Sequence, residues 1–453
     1  MDSLADKLSF GHIKDPAFEC MSLFELRQRV ELPGLQRQLD YVAQNSPFYR
    51  RKYKDVIGNL NSLHEIFFDL PFTLKDELIN DQFGSPPFGN NLCVSPQKVV
   101  RVHRTSGTTN RPVIIAMTKA DIAATVVSGA RCFWSSGLRP EHLVAHCLNY
   151  CLWMGGYTDH QSLEATGATV IPYGVGNSRA LLDVIRDYKV SAIHCTPSYL
   201  AILEDLLRNE FDIKPTMLGL KLGLFGGESG VQDPNFRQHI ESVWGIKAMN
   251  ANYGMADVLS MFGAECYLQN GLHFMGQGNI LVEIIDPVTN ESLPIEKGVM
   301  GELVITNINR EAQPVIRFRT RDMAQILDHN PCACGRKSFR FNVIGRSDDM
   351  IVVKGVNIFP NLIKDRLARF LDKITGHFQI VLDSPPPVGE LKLKVEFRGN
   401  CNQESADELV RVLIDDFDAK INVRPRIELV PEGELPRTTG KTSVVIKNYL
   451  SQT

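Results

Sequence analysis

The chain has 453 residues, 43% of them hydrophobic, and its 49 Lys and Arg against 52 Asp and Glu give a formal net charge of −3. That length can build more than one domain with a sizeable core, and the interspersed charge leaves no basic footprint for nucleic acid. No apolar run reaches the roughly eighteen residues of a membrane span, and Met1-Asp2-Ser3-Leu4-Ala5-Asp6-Lys7-Leu8 lacks the apolar stretch of a leader, so a cytoplasmic protein with no nucleic-acid or membrane partner is expected. Its 10 cysteines are then expected to be reduced thiols rather than a disulfide framework.

Residues 23–54 carry Leu26, Val30, Leu35, Leu39, Tyr41 and Val42 at helical spacing among charges, which predicts amphipathic helices on the outside of a domain. In Leu70-Pro71-Phe72-Thr73-Leu74-Lys75-Asp76-Glu77, Thr73 can cap a short helix. The stretch that organises the rest follows, Val102-His103-Arg104-Thr105-Ser106-Gly107-Thr108-Thr109-Asn110-Arg111-Pro112. Thr105, Ser106, Thr108 and Thr109 offer hydroxyl donors, Gly107 lets backbone approach an anion, and Arg111 adds positive charge, the makings of a phosphate-holding loop. The spacing is not the Walker pattern, and taken alone the stretch is also compatible with a Ser/Thr-rich surface turn.

Beyond the loop, a helix is predicted over 119–134, a buried strand over 143–148, a strand over 169–172, a helix over 178–188, a strand over 190–194 and a helix over 198–208. This alternation is the signature of βαβ units, so the expected fold is α/β with a largely parallel sheet and its functional loops beyond the strand ends. Tyr150, Trp153, Gly155, Gly156 and Tyr157 read as an aromatic, glycine-rich connection. It either lines a pocket for a flat ring or packs beneath a loop.

A predicted strand over 221–225 runs into Gly226-Gly227-Glu228-Ser229-Gly230, and Ala251-Asn252-Tyr253-Gly254-Met255-Ala256-Asp257 comes about one helix later. Glycines there allow a planar group to lie on the backbone, Tyr253 offers a ring to stack on it, and Asp257 an oxygen for a hard cation. Beyond residue 347, helices over 360–371 and 405–417 and strands over 379–382, 391–397 and 426–430 describe a second, α+β domain of about 100 residues.

In this order the motifs resemble those of the adenylate-forming ligase superfamily, in its phenylacetate-coenzyme A ligase branch, along nearly the whole chain. The resemblance implies a large N-terminal adenylating domain over 1–346 and a small mobile C-terminal domain over 347–453. It also implies an ATP-dependent, AMP-forming acid-thiol ligase working through an acyl-adenylate, with an aryl acid and coenzyme A as its partners. The hydroxyl loop with Arg111 would close on the ATP phosphates, while Gly227, Glu228, Ser229, Asn252 and Tyr253 would hold the nucleotide and Asp257 magnesium. Asp322, in Ile316-Arg317-Phe318-Arg319-Thr320-Arg321-Asp322-Met323, matches the ribose-binding aspartate. Gly345-Arg346-Ser347-Asp348-Asp349-Met350 resembles the hinge, with Asp348 as its pivot and Arg346 beside the nucleotide. Lys441, in Leu435-Pro436-Arg437-Thr438-Thr439-Gly440-Lys441, matches the catalytic lysine. Phe133, Trp134, Tyr150, Trp153, Tyr157 and Gly226 are the candidates for the acid pocket.

The chain departs from the family pattern at three places. Arg111 stands for Lys, Ala256-Asp257 for Thr-Glu, and Arg321 for a glycine. These leave open delivery of the acyl group to a carrier-protein thiol or an amine, and a non-catalytic nucleotide-binding relative. The sequence also leaves a homodimer open.

A second constellation is Cys266, His273, Cys332 and Cys334. Cys332-Ala333-Cys334 can place two thiolates on one metal, and Cys266 with His273 can complete a tetrahedral structural zinc site; a metal-free turn of buried thiols is the alternative. Some members of the resembled branch carry a similar cluster.

Overall fold

The computed structural model describes residues 13–55, 70–105, 111–354, 356–399, 403–436 and 444–450, without the side chains of 357, 403 and 450. Ser106, Gly107, Thr108, Thr109 and Lys441 lie outside the described residues. The chain divides into two compact units, one built from 1–232, 239–320 and 324–342, the other from 233–238, 321–323 and 343–453. No helix among the described residues is long and apolar enough to cross a membrane.

In the first unit, β1 (Arg101–Arg104) and β2 (Ile114–Met117) form an antiparallel hairpin in which Arg104 faces Ile114. Residues 106–110 of the hydroxyl stretch fall between these two strands in the sequence and lie outside the described residues. The main sheet begins with a parallel run of β3 (Leu143–His146), β4 (Thr169–Ile171), β5 (Ala192–Cys195), β6 (Leu222–Gly226) and β7 (Lys247–Met255). It continues through β8 (Leu259–Ala264), β9 (Leu272–Phe274), β10 (Ile280–Ile285), β11 (Ser292–Leu293), β12 (Met300–Asn307), β13 (Phe318–Asp328) and β14 (Arg340–Arg346). The order across the 12-stranded sheet is β11-β10-β12-β13-β14-β9-β8-β7-β6-β5-β3-β4.

The parallel half is the one that the βαβ alternation predicts. Its strands are short and apolar because helices cover them, and β5 and β6 are buried throughout. The half beyond β7 is antiparallel at the pairings of β7 with β8, β8 with β9 and β10 with β12, so the sheet as a whole is mixed. Those strands are nearly continuously buried as well, which hides the polar/apolar alternation that would mark them in the sequence.

The helices that matter for the site are α1 (Leu32–Asn45), α2 (Lys75–Gly84), α3 (Lys119–Ser135), α4 (Met154–Glu164), α5 (Ser178–Asp187) and α6 (Pro197–Leu206). Thr118 caps α3 by accepting from the Asp121 N–H, and the Asp121 carboxylate accepts from the Thr118 N–H in return. Two sequence expectations need correction. Thr73 does not cap α2: Leu74 is its N-cap residue, while the Thr73 hydroxyl donates to the Ile316 carbonyl at 2.7 Å and its backbone pairs with Phe318. A fully buried hydroxyl takes the nearest strong acceptor, and here tertiary packing supplies one. Gly155, Gly156 and Tyr157 belong to α4 rather than to a connection. A Cβ at Gly156 would lie 2.2 Å from the Asn149 carbonyl oxygen, so glycine lets the helix start press against the preceding loop.

In the second unit, β15 (Ile351–Val353) and β16 (Val356–Ile358) form a hairpin. Then β17 (Ile374–Leu382), β18 (Lys392–Phe397), β19 (Arg426–Val430) and β20 (Val445–Lys447) form a sheet of order β19-β18-β17-β20. Helices α7 (Pro360–Leu367) and α8 (Gln403–Ile421) belong to this unit, whose core centres on Ile363, Leu367, Ile380, Leu393, Val395, Leu413 and Phe417. Burying side chains of this size contributes about 1.5–3 kcal/mol each, enough to hold together a unit of its own.

Candidate active site

The base of the hydroxyl hairpin is fixed by Thr105. Its N–H donates to the Val113 carbonyl at 3.0 Å, and its Oγ1 accepts from the Val113 N–H at 3.0 Å. From α2, the Gln82 amide donates to and accepts from the Ile114 backbone at 2.8 Å each way, which ties β2 to that helix. Arg111, just past the tip, lays its guanidinium 4.1 Å above the ring of Phe83. Its charge is thereby held at the hairpin mouth without being neutralised.

At the end of β6, Gly226 is forced by crowding. A Cβ there would lie 2.4 Å from Asn252 Cβ and 2.6 Å from its carbonyl oxygen, because β7 bulges at this point. Gly227 takes a φ of +80°, which turns the chain so that the Glu228 carboxylate can accept from the Ser198 N–H at 2.6 Å. Tyr253 packs edge-on against Phe262 and Phe341, with ring centroids 5.0 and 5.6 Å away.

Asp257 follows at the turn after β7 and is buried. Lys75 Nζ lies 3.4 Å from its Oδ2, whereas its Oδ1 is buried without a partner. The buried Arg310 donates to the backbone carbonyls of Asp257 at 3.4 Å and Val258 at 2.7 Å, leaving its Nε and Nη2 unbonded. A buried carboxylate oxygen without a partner suits a hard cation, and the free guanidinium N–H groups of Arg310 suit anionic oxygens. Sequence reasoning missed Lys75. The signal was there: Lys75 occupies the first turn of α2, where a cation opposes the helix dipole, so its charge has to serve something outside the helix.

In the second unit, one guanidinium links two predicted residues. Arg346 reaches Asp322 at 3.2 Å and grips Asp348 through Nε at 2.9 Å and Nη2 at 2.8 Å. Arg321, where a glycine was expected, holds a φ of +66°, the left-handed region that glycine enters at no cost. Arg317 and Arg319 pair with Glu283 at 2.8 Å and Glu302 at 2.7 Å, all four of them buried. These pairs anchor the strand that leads to Asp322.

The acid-pocket candidates divide. Phe133 meets His194 edge-on at 4.9 Å, Tyr150 meets His146 edge-on at 5.3 Å, and Gly226 abuts Asn252. His194 is hydrogen-bonded to both His146 and Asn252, so these three candidates converge. Trp134 lies instead between Lys14 and Arg139, and Tyr157 lies beneath Arg101 with its ring stacked on His160. Trp153 precedes α4, its carbonyl accepting from the Gly156 N–H at 3.3 Å.

Cys266, His273, Cys332 and Cys334 come together with all their ligand atoms within 4.8 Å of one another, and all four are buried. Cys332 and Cys334 ride on a tight turn in which the Cys332 N–H donates to the Arg336 carbonyl and the Gly335 N–H to the Cys332 carbonyl, each at 2.9 Å. His273 turns Nε2 toward Cys334 at 3.6 Å, with Ser338 Oγ 3.4 Å from its Nδ1. Behind the cluster, Arg336 touches Cys334 Sγ at 3.6 Å and pairs with Glu19 at 2.6 Å, both charges fully buried. Three thiols and an imidazole at this separation fit a tetrahedral Cys₃His ion, and the second layer of Ser338 and Arg336 would orient its ligands.

With this geometry in hand, comparison with known proteins gives a consistent picture. The family model described as AMP-binding enzyme matches residues 60–309, and that described as AMP-binding enzyme C-terminal domain matches 355–448. The phenylacetate-coenzyme A ligase of Pseudomonas putida is 32% identical over 445 residues, 96% of this chain and 97% of the relative. That of Thermus thermophilus is 30% identical over 448 residues, 94% of this chain and 97% of the relative. The crystal structure of a 2-hydroxyisobutyryl-CoA ligase in the postadenylation state with 2-HIB-AMP superposes with a TM-score of 0.87 at 29% identity, covering 98% of this chain and 94% of that one. The chain therefore belongs to the AMP-binding enzymes and, among them, to the AMP-forming acid-thiol ligases of the phenylacetate-coenzyme A ligase branch.

Proposed function

We propose that this ligase activates an aryl acid and transfers it to coenzyme A, with the nucleotide held by the β1–β2 hairpin, the Gly227-Glu228-Ser229 turn and Tyr253. The family reaction is ATP-dependent acyl-CoA formation through an acyl-adenylate. In the first step a carboxylate oxygen of the acid attacks the α-phosphorus, the bond to the bridging oxygen breaks, and pyrophosphate leaves. In the second a thiol sulfur attacks the acyl carbon, the carbon–oxygen bond to AMP breaks, and the thiol proton passes to solvent.

The observation that carries the reading is the unpartnered, buried Oδ1 of Asp257 beside Lys75, just past the end of β7, the strand whose Asn252 pairs with Gly226. Asp257 would hold magnesium, whose charge offsets the negative charge that gathers on the phosphates. Lys75 neutralises the same carboxylate before the nucleotide arrives. Arg111 and the hydroxyl hairpin would receive the phosphates, Asp322 the ribose, and Lys441 the charge developing at the α-phosphate, by positioning rather than proton transfer. Arg346, bonded to both Asp322 and Asp348, would connect ribose binding to the hinge of a mobile domain beginning near residue 347. Phe133, Tyr150 and Gly226 would receive the acid. A zinc ion held by Cys266, His273, Cys332 and Cys334 has no open position for substrate, so its contribution would be to folding.

Acid-dependent ATP–pyrophosphate exchange across aryl and aliphatic acids tests the reading. Exchange with aryl acids is expected, and Lys441→Ala should lower it about 100-fold or more, the scale of losing one transition-state charge contact. ATP binding without exchange for any acid would overturn it.

A further inference from the structure

The convergence of Phe133, Tyr150 and Gly226 surrounds a buried polar chain that neither phosphate nor metal chemistry explains. In the parallel pairing of β3 with β5, His146 stands opposite His194. Their rings stack at 4.9 Å, with the two Nδ1 atoms 2.8 Å apart. His146 Nε2 lies 2.7 Å from the Gly156 carbonyl, and His194 Nε2 lies 3.4 Å from Asn252 Nδ2. The same Asn252 Nδ2 reaches Asp159 Oδ2, and Ser260 Oγ donates to Asp159 Oδ1 at 2.7 Å. His146, His194, Asp159 and Ser260 are buried, while Asn252 is partly exposed.

The chemistry of these groups leaves one arrangement of protons. Burial holds His146 down to about 4 and His194 well below its ordinary value, so both rings are neutral at pH 7. The Gly156 carbonyl only accepts, so the His146 proton is on Nε2 and its Nδ1 is an acceptor. His194 must then donate from Nδ1, which makes its Nε2 an acceptor as well. Asn252 Nδ2 answers with one proton toward His194 and the other toward Asp159 Oδ2, and it does so whether Asp159 is ionised or protonated on Oδ1. The carboxamide therefore cannot reverse, and its carbonyl oxygen, carried by a partly exposed residue that presses against Gly226, has no partner among the described residues.

We propose that Asn252 Oδ1 is a substrate-reading acceptor, and that the acid this enzyme activates carries a hydroxyl or amino group that donates to it. Asp159, His194 and His146 act as positioning residues that fix the direction of the Asn252 amide. The inference rests on Phe133, Tyr150 and Gly226 lining the acid pocket, and it moves Asn252 from the nucleotide to the acid. It narrows the substrate class from aryl acids in general to those with a hydrogen-bond donor at one defined position. An acceptor built in this way discriminates against the analogue that leaves it unpaired.

The test is ATP–pyrophosphate exchange with matched acids: phenylacetate against its α-, 2-, 3- and 4-hydroxy and amino derivatives, and isobutyrate against 2-hydroxyisobutyrate. At least one donor-bearing acid should exceed its parent in kcat/KM by about tenfold or more. Asn252→Leu should bring that ratio near one, and Asp159→Asn should lower it, with the KM for ATP unchanged in both. Parent acids that equal or exceed every derivative, in an enzyme active with them, would overturn the proposal and leave the ligase reading intact. A variant that changes the KM for ATP while keeping the acid ratio would also overturn it, returning Asn252 to the nucleotide. Absence of exchange with any acid would overturn the ligase reading, and this inference with it. The wild-type panel decides the matter even if a variant fails to fold.

Discussion

The Cys266–His273–Cys332–Cys334 cluster and the His146–His194–Asn252–Asp159 chain are both buried sets of ligand-type side chains in the first unit, yet their atoms are aimed differently. In the first, three sulfurs and a ring nitrogen crowd within 4.8 Å. Thiols are weak donors and weak acceptors, so such a set has no good hydrogen-bonding solution of its own. In the second, each proton meets one acceptor and donors alternate with acceptors along the line, so protons alone satisfy it. Among the described residues, only the first set groups side chains as a metal site would. Direction, rather than residue type, separates a site that calls for an ion from one that orders an amide.

The largest effect that would sharpen this contrast is metal loss. Elemental analysis of the purified protein should find about one zinc per chain. Cys334→Ser should lose it together with about 4 kcal/mol or more of stability in urea unfolding, the range reached when a structural metal goes. A metal-free wild type as stable as the loaded protein would break the comparison. Next is Glu19→Ala, which strands Arg336 fully buried behind the cluster and should cost about 3–5 kcal/mol. A loss of a few tenths would mean that the thiolates, rather than Glu19, balance Arg336.

The smallest effect is carried by the polar chain. Burial pushes the Asp159 carboxyl up to about 7, with the Ser260 and Asn252 hydrogen bonds opposing the rise. Unfolded, the same group releases its proton near 3.8. Between these values the unfolded chain binds fewer protons, so stability falls as pH rises from about 4 toward 7 and levels off above. Burial likewise holds Glu31 and Asp365 at about 7, so they tilt the curve in the same direction. Urea midpoints at pH 5 and 7.5 should therefore fall with pH in the wild type, and Asp159→Asn should remove about 2–3 kcal/mol of that decline. An unchanged slope would place a cation or ordered water on Asp159.

Much of the frame was legible beforehand. The helix expected over 119–134 runs Lys119–Ser135, the strand over 426–430 is β19, and the βαβ alternation gave the parallel half of the sheet. In those elements local periodicity and tertiary burial agree. They disagree at Thr73, whose hydroxyl goes to a strand carbonyl rather than a helix end, and at Gly156, whose missing side chain admits a neighbouring loop to a helix. The antiparallel strands from β8 to β12 escaped notice because nearly every position in them is buried, which leaves no alternation to read.

By itself the sequence determined the α/β class, the order of motifs along the chain and the types of residue available to phosphate, cation and thiol chemistry, because composition, spacing and periodicity are local properties. Tertiary structure alone decided which of those residues meet. Lys75 and Asp257 are 182 residues apart, and the two halves of the cysteine cluster are joined only because β9 and the turn after β13 pack together. The direction of the Asn252 amide is set by a histidine on each of two strands and an aspartate on a helix. Hydrogen bonds and metal coordination depend on the angles and distances between side chains, and only packing in three dimensions sets those.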